Sequence, residues 1–144
     1  MLRNYPQETL DVFLKAIKGN RKAFKDLMTT EKRPELAAFS NAIKGDEKAE
    51  MWLKARVGMD WWLMCRALDY DEIALQKLQE KEDKFPISFV LACQNRVEGK
   101  YWLTHNNYSH FLPICKVIAE AVNTRDKEMV FLWYNGGSIR KLYN

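Results

Sequence analysis

The sequence predicts an all-α domain in which about five helix–turn–helix repeats of roughly 25 residues stack into a small solenoid. Gly (6) and Pro (4) are scarce among the 144 residues, and long Ala-, Leu-, Lys- and Glu-rich stretches favour helices over strands. A segment of eleven residues recurs almost unchanged, and apolar residues recur in register with it. The hydrophobic share of 47% suffices for the core of one domain spanning 1–144.

The clearest repeat joins residues 13–23, FLKAIKGNRKA, to residues 39–49, FSNAIKGDEKA, at an offset of 26. Seven of the eleven positions are identical, and the same frame continues more faintly from Met64, Phe89 and Ile118. The predicted repeats therefore cover approximately 7–33, 34–59, 60–84, 85–109 and 110–135, with a C-terminal cap at 136–144.

Aligned columns of small and apolar residues describe the two helices of each repeat. Four columns fall at positions i, i+3, i+6 and i+7, which trace one face of a first helix. An alanine in every repeat lets neighbouring helices approach closely, and a leucine eleven residues later marks a second helix. The columns are Leu10, Leu36, Trp61, Pro86, Cys115; Phe13, Phe39, Met64, Phe89, Ile118; Ala16, Ala42, Ala67, Ala92, Ala121; Ile17, Ile43, Leu68, Cys93, Val122; and Leu27, Leu53, Leu78, Leu103, Leu132.

A polar break follows each of these alanines and predicts the turn between the two helices. Glycine suits the left-handed position that ends a helix, and Asn, Asp or Thr caps the next helix. We expect five such turns, the last at 123–125, and a loop insertion in the polar stretch 104–110. The alternative is a plain multi-helix bundle in which only the N-terminal helices are duplicated.

The string AIKGNRKAFKDLM, from Ala16 to Met28, resembles the core of an ankyrin repeat, and the copy from Ala42 to Leu53 is similar. In that family a first helix ends in small residues, a Gly-Asn or Gly-His turn follows, and a second helix carries paired apolar residues. This chain departs from the family in its repeat of about 25 rather than 33 residues. It also lacks the Thr-Pro-Leu-His opening and the Asp/Gly-rich β-hairpin finger. The resemblance implies a degenerate array without β-hairpins that binds other proteins and has no catalytic residues.

A solenoid leaves one face of its first helices free to line a concave surface. Trp62 and Arg66 lie at the centre of that face, four residues apart, so both can reach one partner. Tryptophan and arginine are frequent anchors of protein interfaces. The alternative for Trp62 is a place in the core beside Trp61. The predicted partner-binding residues are Lys15, Asn41, Lys44, Trp62, Arg66, Asp69 and Gln94.

Two other functions stay open at this point. A net charge of +4 and five tryptophans allow a basic helical nucleic-acid-binding protein, although 19 acidic residues nearly balance the 23 basic ones. A small enzyme could instead place its site in the 104–113 insertion, which holds His105 and His110. These histidines are five residues apart and do not share a helix face, so we expect neither a metal nor another cofactor.

The cysteines and the N-terminal residues predict a cytoplasmic protein. Cys65, Cys93 and Cys115 are odd in number and dispersed, which is typical of a reduced compartment. The polar start predicts no secretory signal, and no stretch of the sequence is long and apolar enough to span a membrane. We therefore expect another protein as the partner and no membrane.

Overall fold

Helices account for the regular structure of the chain, and the computed structural model describes residues 1–134, with side chains described through residue 128. This range contains nine α-helices, two short 3-10 helices and no strand. The 3-10 helices are Leu2–Asn4 and Ser109–Phe111. The α-helices are α1 (Gln7–Ile17), α2 (Arg21–Met28), α3 (Pro34–Ile43), α4 (Glu47–Arg56), α5 (Met59–Leu68), α6 (Glu72–Gln79), α7 (Phe85–Cys93), α8 (Val97–His105) and α9 (Leu112–Tyr134).

The first eight α-helices form four antiparallel hairpins: α1–α2, α3–α4, α5–α6 and α7–α8. The first helix of each hairpin packs on the first helix of the next hairpin, and α2, α4 and α6 each also pack on the helix that follows them. The last helix, α9, packs on α7 and also contacts α1 and α3. The C-terminal part of the described chain therefore returns to its beginning.

The apolar columns predicted from the sequence form the core, except that Ala121 is only half-buried. All five members of the Phe13 column and the leucines of α2, α4, α6 and α8 have an exposed fraction of 0%. The rings of Phe13 and Phe39 stack with centroids 5.9 Å apart, and Phe39 meets Trp61 edge-on at 5.4 Å. Each such burial contributes about 1.5–3 kcal/mol to folding. The side chain of Leu132 lies outside the described residues.

Four of the five predicted turns are confirmed. In each, the third residue after the column alanine has a positive φ: 97° at Gly19, 103° at Gly45, 63° at Tyr70 and 61° at Asn95. In three of these turns the next residue caps the second helix. Its side chain accepts hydrogen bonds from backbone N–H groups in the first turn of that helix, which have no partner within the helix. These caps are Asn20, Asp46 and Asp71.

The fifth predicted turn, at 123–125, is wrong, because α9 runs unbroken from Leu112 to Tyr134. The position equivalent to Gly19 is Thr124, and a β-branched residue adopts the left-handed conformation only at a high energetic cost. The position equivalent to the cap Asn20 is Arg125, which has no acceptor to offer a helix N-terminus. The predicted cap at 136–144 lies outside the described residues.

The predicted insertion after α8 is short and anchored in the core. α8 extends to His105, and the 3-10 helix Ser109–Phe111 follows after a turn. Phe111 is fully buried, with its ring centroid 5.1 Å from that of Phe85 and 6.0 Å from that of Phe89. The segment therefore connects α8 to α9 through apolar packing.

Candidate functional site

Arg125, near the middle of α9, ties this helix to the ends of α3 and α5. One guanidinium nitrogen donates to the carbonyl oxygen of Ile43, the last residue of α3, at 3.2 Å. Another donates to Oδ1 of Asp69, directly after α5, at 2.6 Å. A cation is stabilised there because the free carbonyls at a helix C-terminus carry partial negative charge. α9 thus crosses the side on which the sequence predicts a concave surface.

The residue directly after the first helix forms a repeated contact in two hairpins. Lys44, after α3, donates to the carbonyl of Ala16 at 2.7 Å, and Gln94, after α7, donates to that of Ala67 at 2.8 Å. These bonds join consecutive first helices. The third hairpin has Asp69 at this position, whose carboxylate only accepts. There Arg125 binds the carboxylate of Asp69 and donates to the carbonyl of Ile43 in α3.

A cluster of charged groups surrounds Arg125 between α4 and α5. Arg66 lies 3.5 Å from Asp71 and 4.0 Å from Asp69. Glu50 is only 8% exposed, and its Oε1 has no hydrogen-bond partner among the described residues. Burial, with the nearby carboxylate of Asp69, raises the pKa of Glu50. The buried carboxyl is therefore a local cost to folding, which the cations around it only partly offset.

A groove of about 640 Å³ opens between α9 and the C-terminal ends of α1 and α3. Its walls include the apolar side chains of Ile17, Val117 and Ala121. This volume falls within the range of about 300–1,000 Å³ that is typical of binding sites. The groove is thus large enough for the side chains of a peptide segment.

Charged groups of both signs line the groove. Lys18, Lys44 and Arg125 lie on it, and Glu120 and Glu128 project from α9. Burial lowers the pKa of the Lys44 amine. Because Lys44 and Arg125 are both bound to backbone carbonyls of neighbouring helices, these two groups hold the walls of the groove together.

Two of the seven predicted partner-binding residues lie at or near this groove. Lys44 lines it, and Lys15 is exposed on α1, three residues before Lys18. Asn41 is half-buried on α3, and Gln94 lies on a smaller cavity of about 130 Å³ between α9 and the ends of α5 and α7.

The other predicted residues lie on α5 or directly after it. Arg66 and Asp69 belong to the charged cluster around Arg125. Trp62 is half-buried, and the Lys54 amine lies 4.1 Å from the centre of its ring. The structure therefore does not gather the seven residues into one groove, and a role in partner binding stays a prediction for each of them.

The groove residues Val117, Thr124, Arg125 and Glu128 on α9 were not expected from the sequence. Thr124 and Arg125 were instead assigned to the predicted turn at 123–125, which divides α9 into two helices. Thr124 and Arg125 carried a signal against that turn, since neither residue suits a left-handed turn position or an N-cap.

The residues suggested for an enzyme or metal site are dispersed. His105 and His110 are exposed, and the His105 ring stacks on Tyr101 with centroids 3.7 Å apart. All three cysteines are buried, and burial raises the pKa of Cys65 well above the usual range of a thiol. Within the described part of the chain, no group of three or more His, Cys, Asp or Glu residues is arranged to hold a metal ion.

None of the described helices is long and apolar enough to cross a membrane. Comparisons with known protein families, with curated proteins and with solved structures gave no match to this chain. The resemblance to ankyrin repeats therefore stays a prediction, and the function has to be inferred from the groove and its surroundings.

Proposed function

We propose that this protein is a non-catalytic protein-interaction module of the cytoplasm, built as a degenerate ankyrin-like stack of helical repeats. Its partner binds in the groove between α9 and the ends of α1 and α3. The observation that carries this proposal is the groove itself, which combines apolar walls with charged rims in a volume of about 640 Å³.

The composition of the groove supports a peptide as its occupant. Binding sites are mostly apolar and contain a few polar groups that orient the ligand. Ala121, with the small exposed parts of Ile17 and Val117, supplies the apolar surface, while Lys18 and Glu120 offer charges of opposite sign. A protein segment with alternating apolar and charged side chains is complementary to both.

The groove is also preformed, which favours binding. Lys44 joins α3 to α1, and Arg125 joins α9 to α3 and to Asp69. Helices that are held in place lose little conformational freedom when a ligand binds, so more of the interaction energy appears as affinity. In this proposal Arg66 and Asp69 act indirectly, because they position Arg125.

Two alanines on opposite sides of α9 provide a matched test. Ala121 lines the groove and Ala119 lines the smaller cavity, and both are half-buried. Peptides selected from a random phage-displayed library on the unmodified chain are measured against Ala121→Arg and Ala119→Arg. We expect affinity for Ala121→Arg to fall about tenfold or more, because the long cation fills the groove, while Ala119→Arg binds within about twofold of the parent.

Circular dichroism and thermal unfolding establish that both variants keep the fold. Equal affinity of the selected peptides for Ala121→Arg and the parent chain would contradict the groove as the binding site. A library that yields no enriched peptide would contradict the interaction module itself.

A further inference from the structure

The turn between α1 and α2 carries an unusual concentration of positive charge. Residues 15–25 contain five basic side chains and no carboxylate. All five are exposed, and none takes part in an ion pair among the residues whose side chains are described. We call this set the basic turn; it consists of Lys15, Lys18, Arg21, Lys22 and Lys25.

The duplicated hairpin retains only two of these five cations, since Lys44 and Lys48 match Lys18 and Lys22 while the other three positions carry no cation. The duplicated hairpin α3–α4 has the same glycine turn and the same type of cap, yet Glu47 there replaces Arg21 as the first residue of the second helix. A helix N-terminus favours a negative side chain and disfavours a positive one. Arg21 therefore lies at a position where local electrostatics opposes it, and the stability of α2 does not account for its charge.

The basic turn adjoins the groove. Lys18 and Gly19 form part of the groove wall, and Lys44 and Arg125 line the groove beside them. Lys15 lies three residues before Lys18 on α1, and Arg21 and Lys22 begin α2 directly after the turn. A ligand in the groove would thus meet Lys18 directly, and the rest of the basic turn continues along the chain on either side of Lys18.

We propose that the groove binds an acidic, amphipathic segment of another protein. Its carboxylates lie along the basic turn, and its apolar side chains lie against Ala121 and the exposed edges of Ile17 and Val117. This inference rests on the proposed function and specifies the chemistry of the partner. Charge complementarity of this kind raises the association rate and selects among partners.

The observations favour a protein segment over a nucleic acid. A phosphate backbone carries negative charge at every nucleotide and would run against Glu120 and Glu128 on the α9 side of the groove. Binding of single strands also uses exposed aromatic rings as stacking platforms. The aromatic residue of this hairpin nearest the basic turn, Phe24, is half-buried against the core.

Selection of peptides on the unmodified chain tests the composition of the partner. The probe is the random phage-displayed library, and we expect the enriched peptides to be rich in Asp and Glu with interspersed apolar residues. Enriched peptides that are neutral or basic would overturn the inference. If such neutral or basic peptides still bound Ala121→Arg more weakly than the parent chain, the groove would remain the proposed binding site, and only the acidic character of the partner would be rejected.

Two double variants with the same change in net charge test the basic turn. Arg21→Glu/Lys22→Glu alters the basic turn, whereas Lys48→Glu/Arg56→Glu alters exposed residues of α4. We expect the first to weaken peptide binding about tenfold or more and the second by less than about twofold. The difference in peptide affinity between the two double variants should shrink as added salt reduces the Debye length from about 10 Å to about 3 Å.

Equal effects of the two double variants would overturn the inference, because only net charge would then matter. A short single-stranded DNA oligonucleotide, added as a competitor, tests the other polyanion. The inference of a protein partner would also be overturned if this oligonucleotide bound more tightly than the selected peptides and depended on Arg21 and Lys22 in the same way. The partner would then be a nucleic acid.

Discussion

The two duplicated hairpins, α1–α2 and α3–α4, share the features that determine their fold and differ in their charge. Phe13 and Phe39 are both fully buried, and Gly19 and Gly45 both have a positive φ near 100°. Lys44 and Lys48 match Lys18 and Lys22, but other surface positions differ in charge: the first hairpin has five cations and no carboxylate in 15–25, whereas the second has Asp46, Glu47 and Glu50 in 41–51. The comparison teaches that burial and turn geometry constrain only a few columns, while the surface charges are free to serve binding.

The hairpins also differ in their neighbours. The first hairpin contacts α3 and α9, whereas the second lies between the first and the third and also contacts α9. Glu50 in the second hairpin occupies the position of Phe24 in the first, and it is buried with an unpaired oxygen. Matched substitutions in the two hairpins separate the effects of their own residues from the effects of the helices packed against them.

The largest effect is expected from truncating the core phenylalanines. Phe→Ala changes in a core cost about 3–5 kcal/mol, depending on the cavity that remains. Phe39 packs against both Phe13 and Trp61, whereas Phe13 stacks on Phe39 alone among the aromatic rings described. We expect Phe39→Ala to lie near the upper end of the range and Phe13→Ala near the lower end, as measured by urea unfolding. If Phe13→Ala lowered the free energy of unfolding more than Phe39→Ala, contacts with α9 would contribute more to the stability of this core than the contacts between aromatic rings do.

Alanine at the turn glycines should have the next largest effect. Gly19 and Gly45 have φ values of 97° and 103°, so either change strains the backbone by about 1–2 kcal/mol. A Cβ at Gly45 would also lie 3.0 Å from Cδ of Arg125, whereas none of the described atoms lies within 4 Å of a Cβ at Gly19. We therefore expect Gly45→Ala to lower the free energy of unfolding more than Gly19→Ala. Equal losses would indicate that Arg125 moves aside without cost.

Replacing Glu50 with leucine should stabilise the second hairpin. The folded protein raises the pKa of Glu50, so the group favours folding while it is protonated and loses that contribution as the pH rises through the folded pKa. Above that pKa the buried carboxylate costs about 1 kcal/mol, and Leu75 occupies the same position in the third hairpin. We expect Glu50→Leu to be more stable than the parent at pH 7, with a smaller gain near pH 4, in thermal unfolding. A gain that did not depend on pH would exclude ionisation as its cause.

The smallest effect on stability is expected from Arg21→Glu, which makes the start of α2 resemble that of α4. A carboxylate in the first turn interacts favourably with the helix dipole, so the variant should gain about 0.3–1 kcal/mol in chemical unfolding at low salt. The same change should weaken the binding of acidic peptides, so stability and affinity move in opposite directions. Loss of stability would show that Arg21 serves the fold rather than a partner.

Much of the helical arrangement could be predicted because periodic burial leaves a direct trace in the sequence. The Phe13 and Leu27 columns locate the buried faces of the helices, and Gly19 and Asn20 locate a turn. The site could not be predicted in this way, because it depends on contacts between residues far apart in sequence. Arg125 is 82 residues from Ile43 and 56 from Asp69, and no local pattern encodes either pair.

The sequence by itself thus determined the first eight α-helices, four of the turns and most residues of the core, since these follow from side-chain size, polarity and backbone preference over a few neighbouring positions. Thr124 and Arg125 also disfavour a turn within α9. Only the tertiary structure decided that α9 crosses the ends of α1, α3 and α5 and forms the groove beside the basic turn. The physical reason is that the place of α9 is defined by contacts between residues far apart in sequence, such as those of Arg125 with Ile43 and Asp69, and these exist only once the hairpins have packed.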